Sequence, residues 1–286
     1  MEPPRLFGLS DLHVGHAANR ASVAEIPAHP GDWLIVAGDV GESEEHLAWT
    51  LDTLGPRYQR LVWVPGNHEL WTTTSSPLRG VAKYDRLVEL CRARGVLTPE
   101  DPYPVFPGTD LVLAPLFLLY DYSFCPDGMT PAQAIHWAAE SGIVCADEHR
   151  LHPDPYPSRE AWCRARVEAT RRRLDALPPG SRTILVNHWP LRSDLCRLFR
   201  IPRFTPWCGT RETEDWHVRY RAALVVSGHL HMRATDWRDG VRFEEISLGY
   251  PRQYDDQKGA PGYLRQVWPA TSPAPPSGTA GPSWHR

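Results

Sequence analysis

The sequence predicts an α/β layered fold, on three observations. Short apolar runs recur at residues 6–9, 33–37, 61–64, 111–119, 183–186, 224–226 and 241–248. Segments with helical spacing lie between several of them. The polar residues able to do chemistry fall just after the runs, where α/β sheets carry their sites. The chain has 286 residues, 42% hydrophobic and 23% charged, which suffices for one large α/β domain or two small ones.

The runs at 6–9, 33–37 and 61–64 have the length and aliphatic content of buried strands. A helix is predicted over 44–54, with Ser43 as its N-cap. A second is predicted over 78–94, closed by Gly95. The run at 111–119 is the next strand, and a short helical piece follows at 131–139. The clearest helix spans 159–177, opened by Ser158 and stopped by Pro178-Pro179-Gly180. The last three runs complete the strands.

Two segments break this rhythm. Residues 120–157 hold aromatics, acids and prolines, and residues 191–217 hold Arg192, Arg203, Arg211, Trp207 and Trp216. Both are read as insertions over the site, within a domain spanning 1–268. The tail, 269–286, is rich in Pro, Ser, Gly and Ala and is expected to be disordered.

Composition excludes some functions. A net charge of −3 and the lack of basic runs argue against nucleic-acid binding. No apolar run approaches the roughly 20 residues of a membrane span. There are six cysteines and no C-x-x-C pair, and Met1-Glu-Pro-Pro runs straight into the first strand. A reduced, cytoplasmic protein with free thiols is expected. Lys83 and Lys258 are the only lysines, so a phosphate clamp would be a guanidinium.

Five short motifs follow the apolar runs: Asp11-Leu12-His13, Gly38-Asp39, Gly66-Asn67-His68-Glu69, Asn187-His188 and Gly228-His229-Leu230-His231. Each alone is ordinary turn chemistry; five together are hard to explain as turns. Residues i and i+2 of an extended segment share a face, so Asp11 with His13, and His229 with His231, can each grip one region. Gly38, Gly66 and Gly228 permit the turns. The donors are nitrogen and oxygen without thiolate, which favours manganese, iron, zinc or a similar ion such as nickel or cobalt over a structural Cys-zinc site. Asp39 is the candidate bridging carboxylate. Two divalent ions, Asp11, Asp39 and a bridging hydroxide sum to a charge of about +1, which attracts a phosphate anion. The hydroxide would attack phosphorus, so no Ser or Cys nucleophile is needed.

As a set, these motifs resemble the calcineurin-like metallophosphoesterases, and the match spans residues 11–231. The resemblance implies a four-layer α/β/β/α sandwich of two mixed β-sheets flanked by helices. It implies two divalent or mixed-valence metal ions. Asp11, His13, Asp39 and His231 would hold the first; Asp39, Asn67, His188 and His229 the second. His68 would bind the phosphate and act as general acid. In one departure, many relatives carry a further acidic or amide residue after this Gly-Asp motif, whereas here Gly41 is followed by Glu42. The ligands are intact, so the difference is assigned to the periphery.

Thr213-Glu214-Asp215-Trp216-His217 and Ser247-Leu248-Gly249-Tyr250-Pro251-Arg252 resemble an actinobacterial branch of the family. That branch includes enzymes that remove 4′-phosphopantetheine from acyl carrier proteins. The expected function is therefore hydrolysis of a phosphoester, with an acyl carrier protein as partner. The alternatives are a small-molecule phosphomonoesterase, a nuclease of the same metal class, and a non-catalytic binding protein. His16, Arg192, Arg211 and His217 are candidate substrate contacts or plain surface residues. Trp71, Tyr120 and Phe124 line a pocket or sit in the core. His29, His46, His136, His149 and His152 are expected at the surface, and the cysteines behave as small buried apolar groups.

Overall fold

The computed structural model describes residues 3–74, 76–271 and 282–285. In chain order its strands are β1 (Leu6–Leu9), β2 (His29–Val36), β3 (Tyr58–Trp63), β4 (Leu111–Pro115), β5 (Arg182–Val186), β6 (Ala222–Ser227), β7 (Ala234–Arg238), β8 (Val241–Glu245), β9 (Arg265–Trp268) and β10 (Ser283–Trp284). Its helices are α1 (Ala17–Ala24), α2 (Glu44–Leu54), α3 (Asn67–Leu70), α4 (Gly80–Arg92), α5 (Pro131–Ala139), α6 (Asp147–Arg150), α7 (Arg159–Asp175), α8 (Trp216–Arg219) and α9 (Gly259–Tyr263).

The strands form two sheets, ordered β3-β2-β1-β9 and β10-β7-β8-β6-β5-β4. β1, β2 and β3 are parallel, and β9 joins them antiparallel. β4, β5, β6 and β8 are parallel; β7 pairs antiparallel with β8, and β10 antiparallel with β7 at the edge. Two mixed sheets flanked by helices are what the family resemblance implies.

Burial on both faces explains the unbroken apolar runs. Trp33, Ile35 and Val62 meet Leu113, Ile184 and Leu224 in an apolar cluster shared by the two sheets. The alternate residues Leu34, Val36, Leu61 and Trp63 join helix residues Leu47, Leu51, Leu87 and Cys91 in a second cluster. Successive strand side chains point to opposite faces, so a strand covered on both sides is apolar at every position.

The helix starts follow their caps. The Ser43 hydroxyl accepts from the His46 amide at 3.2 Å, and Ser158 accepts from Ala161 at 3.2 Å. The helix predicted over 78–94 is narrower, Gly80–Arg92, and Gly95 follows it at φ +69°.

Two predicted strands stop early. The run at 111–119 is a strand only to Pro115, because its neighbour β5 ends at Val186. The remainder stays buried as irregular chain, with the Leu118 amide donating to the Asn187 side chain at 3.0 Å. The run at 241–248 stops at Glu245, opposite Ser227, where β6 gives way to the turn at Gly228. α1, β7 and β9 have no apolar run to announce them: β7 and β9 are polar strands at or near sheet edges, and α1 buries only Asn19 and Val23. Residues 272–281 and 286 of the tail lie outside the described residues. Ser283 and Trp284 pair with Thr235 and Ala234.

Candidate metal centre

The ends of five parallel strands deliver the motif residues to one place. The turn after β1 carries Asp11 and His13, and that after β2 carries Asp39. α3, after β3, opens with Asn67 and His68; His188 follows β5; His229 and His231 follow β6. Asp11, His13 and His231 form one group whose donor atoms lie within 4.8 Å of one another, and Asp39, His188 and His229 form another. Asp39 also groups with His13 and His68 within that limit, so its carboxylate stands between the two clusters. Five of these side chains are buried, and His229 and His231 are half-buried.

The i, i+2 pairs converge by a different route from strand alternation. Asp11, His13, Asp39, His229 and His231 have φ of 54°, 43°, 51°, 71° and 52°. This left-handed backbone costs an L-residue of order 1–2 kcal/mol. Such strain persists where the surroundings over-determine it, and it concentrates at functional sites. Here backbone bonds lock the turns together: Asp11 N–H donates to Gly38 O at 2.9 Å, and His13 N–H to Asp39 O at 3.0 Å. Gly38, at φ +84°, has no room for a side chain: a Cβ would lie 2.5 Å from Gly66 N and 2.7 Å from His188 Nδ1. Gly66 has an ordinary φ of −99°, and its role is space, since a Cβ there would collide with the Asp39 carboxylate.

Buried polar groups aim the donors. Glu69 accepts from Asp39 N at 2.9 Å, Val40 N at 2.9 Å and Gly66 N at 3.0 Å, bracing two motif turns at once. Ser247 donates to Asp11 at 2.7 Å. The Asn187 amide is spent on the backbone of Leu118 and Trp189, so this motif contributes His188. His188 Nδ1 lies 2.8 Å from the Ala37 carbonyl and so must donate there. Its Nε2 lone pair then faces His229 Nδ1 at 3.3 Å and Asp39 Oδ2 at 3.5 Å. His231 Nδ1 likewise donates to Gln253 Oε1 at 2.7 Å, leaving Nε2 against Asp11 Oδ1 at 3.0 Å and His13 Nε2 at 3.3 Å.

Acceptor thus faces acceptor twice, an arrangement that a cation or a shared proton stabilises. Electrostatics agree. Burial pushes the His188 imidazole down, but Asp39 and Asp11 outweigh it and raise its pKa to about 10. Burial pushes Asp11 up, yet His231 and His188 hold it well below the usual range. Burial and then His188 drive His229 down to about 3. Asn67 Oδ1 and His229 Nε2 are buried with no partner among the described residues. These residues fit a pair of cations: two carboxylates, imidazoles with bare nitrogens, and an orphaned amide oxygen.

His68 lies beside the cluster with its Nε2 3.8 Å from Asp39. Trp71 packs on its ring at 3.8 Å between centroids. Burial lowers His68, but Asp39 and then Glu42 more than compensate, and its pKa is raised. Glu42 therefore needs correcting: expected at the periphery, it places Oε1 3.6 Å from His68 Nδ1. Tyr250 stacks on His13 at 4.3 Å and brings its hydroxyl to 3.5 Å from His68 Nε2. A cleft of about 430 Å³ opens here, lined by His16, His46, Trp71, Arg150 and Tyr250 among others. His46, expected at the surface, is half-buried in its wall, accepting from Glu42 N at 3.2 Å.

The other weighed residues have structural partners. Arg192 pairs with Asp194 and Asp239, and Arg211 with Asp127. His217 is buried, 2.8 Å from Asp239. Tyr120 and Phe124 are core. His136 and His149 are exposed; His29 and His152 are half-buried. All six cysteines are free, five of them buried. Sequence reasoning missed Glu69, Asp147, Ser247 and Gln253 as supports. Glu69 and Ser247 stand inside quoted motifs and so carried a local signal, whereas Asp147 and Gln253 carried none.

The profile of the calcineurin-like phosphoesterase family matches residues 4–233. The [acyl-carrier-protein] phosphodiesterase PptH of Mycobacterium tuberculosis is 49% identical over 278 residues, covering 95% of this chain and 86% of that protein. The crystal structure of phosphopantetheinyl hydrolase (PptH) from Mycobacterium tuberculosis matches with a TM-score of 0.89 at 48% identity. That match covers 96% of this chain and 99% of the crystallised one.

Proposed function

The chain belongs to the calcineurin-like phosphoesterases and is a hydrolase of phosphoric ester bonds, and we propose that it releases phosphopantetheine from an acyl carrier protein. The observation that carries this reading is the 49% identity to PptH over 95% of the chain. The uncovered remainder is shorter than either 120–157 or 191–217, so the likeness reaches beyond the motifs into the segments around the site.

In this reading Asp11, His13, Asp39 and His231 hold one metal ion, and Asp39, Asn67, His188 and His229 hold the other. Oxygen and imidazole donors without thiolate suit manganese and iron. When bound, the ions supply Lewis acidity toward the phosphoryl oxygens and lower the pKa of water to make the nucleophile. The chain's own groups do the rest. His68, whose protonated form Asp39 and Glu42 favour, gives a proton from Nε2 to the leaving oxygen of the carrier protein. Trp71 fixes the plane of that ring. Arg150, whose guanidinium lies 4.9 Å above Trp71 and 3.8 Å from Glu42, places a positive charge beside the cleft. Trp71 and Tyr250 offer aromatic walls to an extended, uncharged pantetheine arm. Free thiols agree with a reducing, cytoplasmic setting.

The test is a side-by-side assay of the manganese-loaded protein on holo acyl carrier protein, p-nitrophenyl phosphate and bis-p-nitrophenyl phosphate. Mass spectrometry should show the carrier converted to its apo form with free phosphopantetheine. Turnover confined to the monoester would remove the carrier protein as substrate.

A further inference from the structure

Asp147 lies in the long segment 120–157, outside all five motifs, yet it is fully buried beside the metal centre. Its Oδ1 accepts from Asn67 Nδ2 at 3.0 Å and from Trp71 Nε1 at 2.6 Å. Trp71 is the residue that packs on His68. The backbone around Asp147 is itself clamped. Arg159 donates to the Asp147 carbonyl at 2.6 Å and to the Leu151 carbonyl at 2.8 Å, and pairs with Glu148 at 3.0 Å.

A side-chain amide has one donating and one accepting end, and rotation about its last bond exchanges them. A buried acceptor facing Asn67 selects one of the two orientations. With Nδ2 committed to Asp147, Oδ1 is turned the other way, and it is left buried with no partner among the described residues. A buried carbonyl oxygen without a partner is unfavourable, and a cation facing Oδ1 would satisfy it.

We propose that Asp147 is a positioning residue for the second metal ion, fixing the Asn67 amide so that its oxygen, not its nitrogen, faces the ion. This rests on the reading of Asn67 as a ligand. It makes the turn at α6 part of the metal centre: one end orients a ligand, and the other presents Arg150 to the cleft.

The experiment is calorimetric titration of the metal-free protein with Mn²⁺, with the fold of each variant checked by circular dichroism and thermal melting. Asp147→Leu removes the acceptor. It should weaken one of the two ions by about 10- to 100-fold, the usual effect of losing a partner that orients a ligand, and leave the other unchanged. Asp147→Asn keeps an acceptor oxygen and should bind both ions as the parent does. Asp147→Ala, which also lacks an acceptor, replaces the Leu variant if that does not fold, with the same expectation. Asn67→Ala is the control. If it loses one ion while Asp147→Leu loses none, or if Asp147→Asn fails as badly as Asp147→Leu, the positioning role is overturned. If Asn67→Ala itself keeps both ions tightly bound, the ligand reading of Asn67 has failed, and the proposal fails with it.

Discussion

Asp39 stands between the two clusters: its carboxylate accepts from His68 N at 2.9 Å and lies 3.5 Å from His188 and 3.8 Å from His68. Asp39→Asn keeps the shape and removes one of the two charges that draw cations in. Turnover should vanish while the melting transition of the metal-free protein persists; full activity would sink the two-metal reading. His68→Gln separates a general acid from a phosphate binder. Loss of the acid should lower kcat on the carrier protein by about 10²- to 10⁴-fold. The loss on bis-p-nitrophenyl phosphate should be much smaller, because p-nitrophenolate leaves without a proton. Equal losses on both would assign His68 to binding alone. The seven proposed ligands were legible in sequence because each stands in a short motif. Glu42, Asp147 and Gln253 were not, because what each does depends on a neighbour distant in sequence: His68, Asn67 and His231 respectively.

Strand ends determine the site at the scale of elements. β4 and β8 stop where β5 and β6 turn off toward His188 and His229, although their apolar runs continue. Apolar content reports burial, whereas strand pairing needs a partner, so the runs overstate strand length. Helix starts are read more reliably, because a cap is local. Ser158 accepts from Ala161 N at 3.2 Å at the start of α7. Ser158→Ala should cost about 1 kcal/mol, seen as a lower denaturant midpoint with an unchanged slope. No change would mean that Arg159, fastened to Leu151 and Asp147, holds that end alone.

Across the whole molecule, the site and the fold share their energetics. Two carboxylates and several bare imidazole nitrogens converge in a buried space, so ions that bind only the folded state stabilise it. Chelation should lower the melting temperature, and Mn²⁺ should restore it; an unchanged melting temperature would show that the cluster is satisfied without cations. Away from the centre, burial pushes Glu100 up, but the Arg166 guanidinium and then the Tyr84 hydroxyl outweigh it and hold its pKa below the usual value. That stabilisation is fully present above an unfolded pKa of about 4.3 and is lost as pH falls through the folded value. Glu100→Gln should therefore lose less stability than the parent between about pH 5 and pH 3. Parallel curves would mean that the Arg166–Glu100 pair is screened by solvent.

The sequence by itself determined the layered α/β class, the capped starts of α2 and α7, the family and the seven candidate ligands. All of these rest on patterns within a few residues: apolar runs, caps, and motifs of two to four positions. Only the tertiary structure decided how the motifs converge. It did so with left-handed turns rather than strand alternation, because the turns are held by bonds between strands that the sequence does not pair. It also decided which nitrogen of His188 and His231, and which end of the Asn67 amide, faces the centre. That choice is made by Ala37, Gln253 and Asp147, each reaching its partner across 22 or more residues of chain.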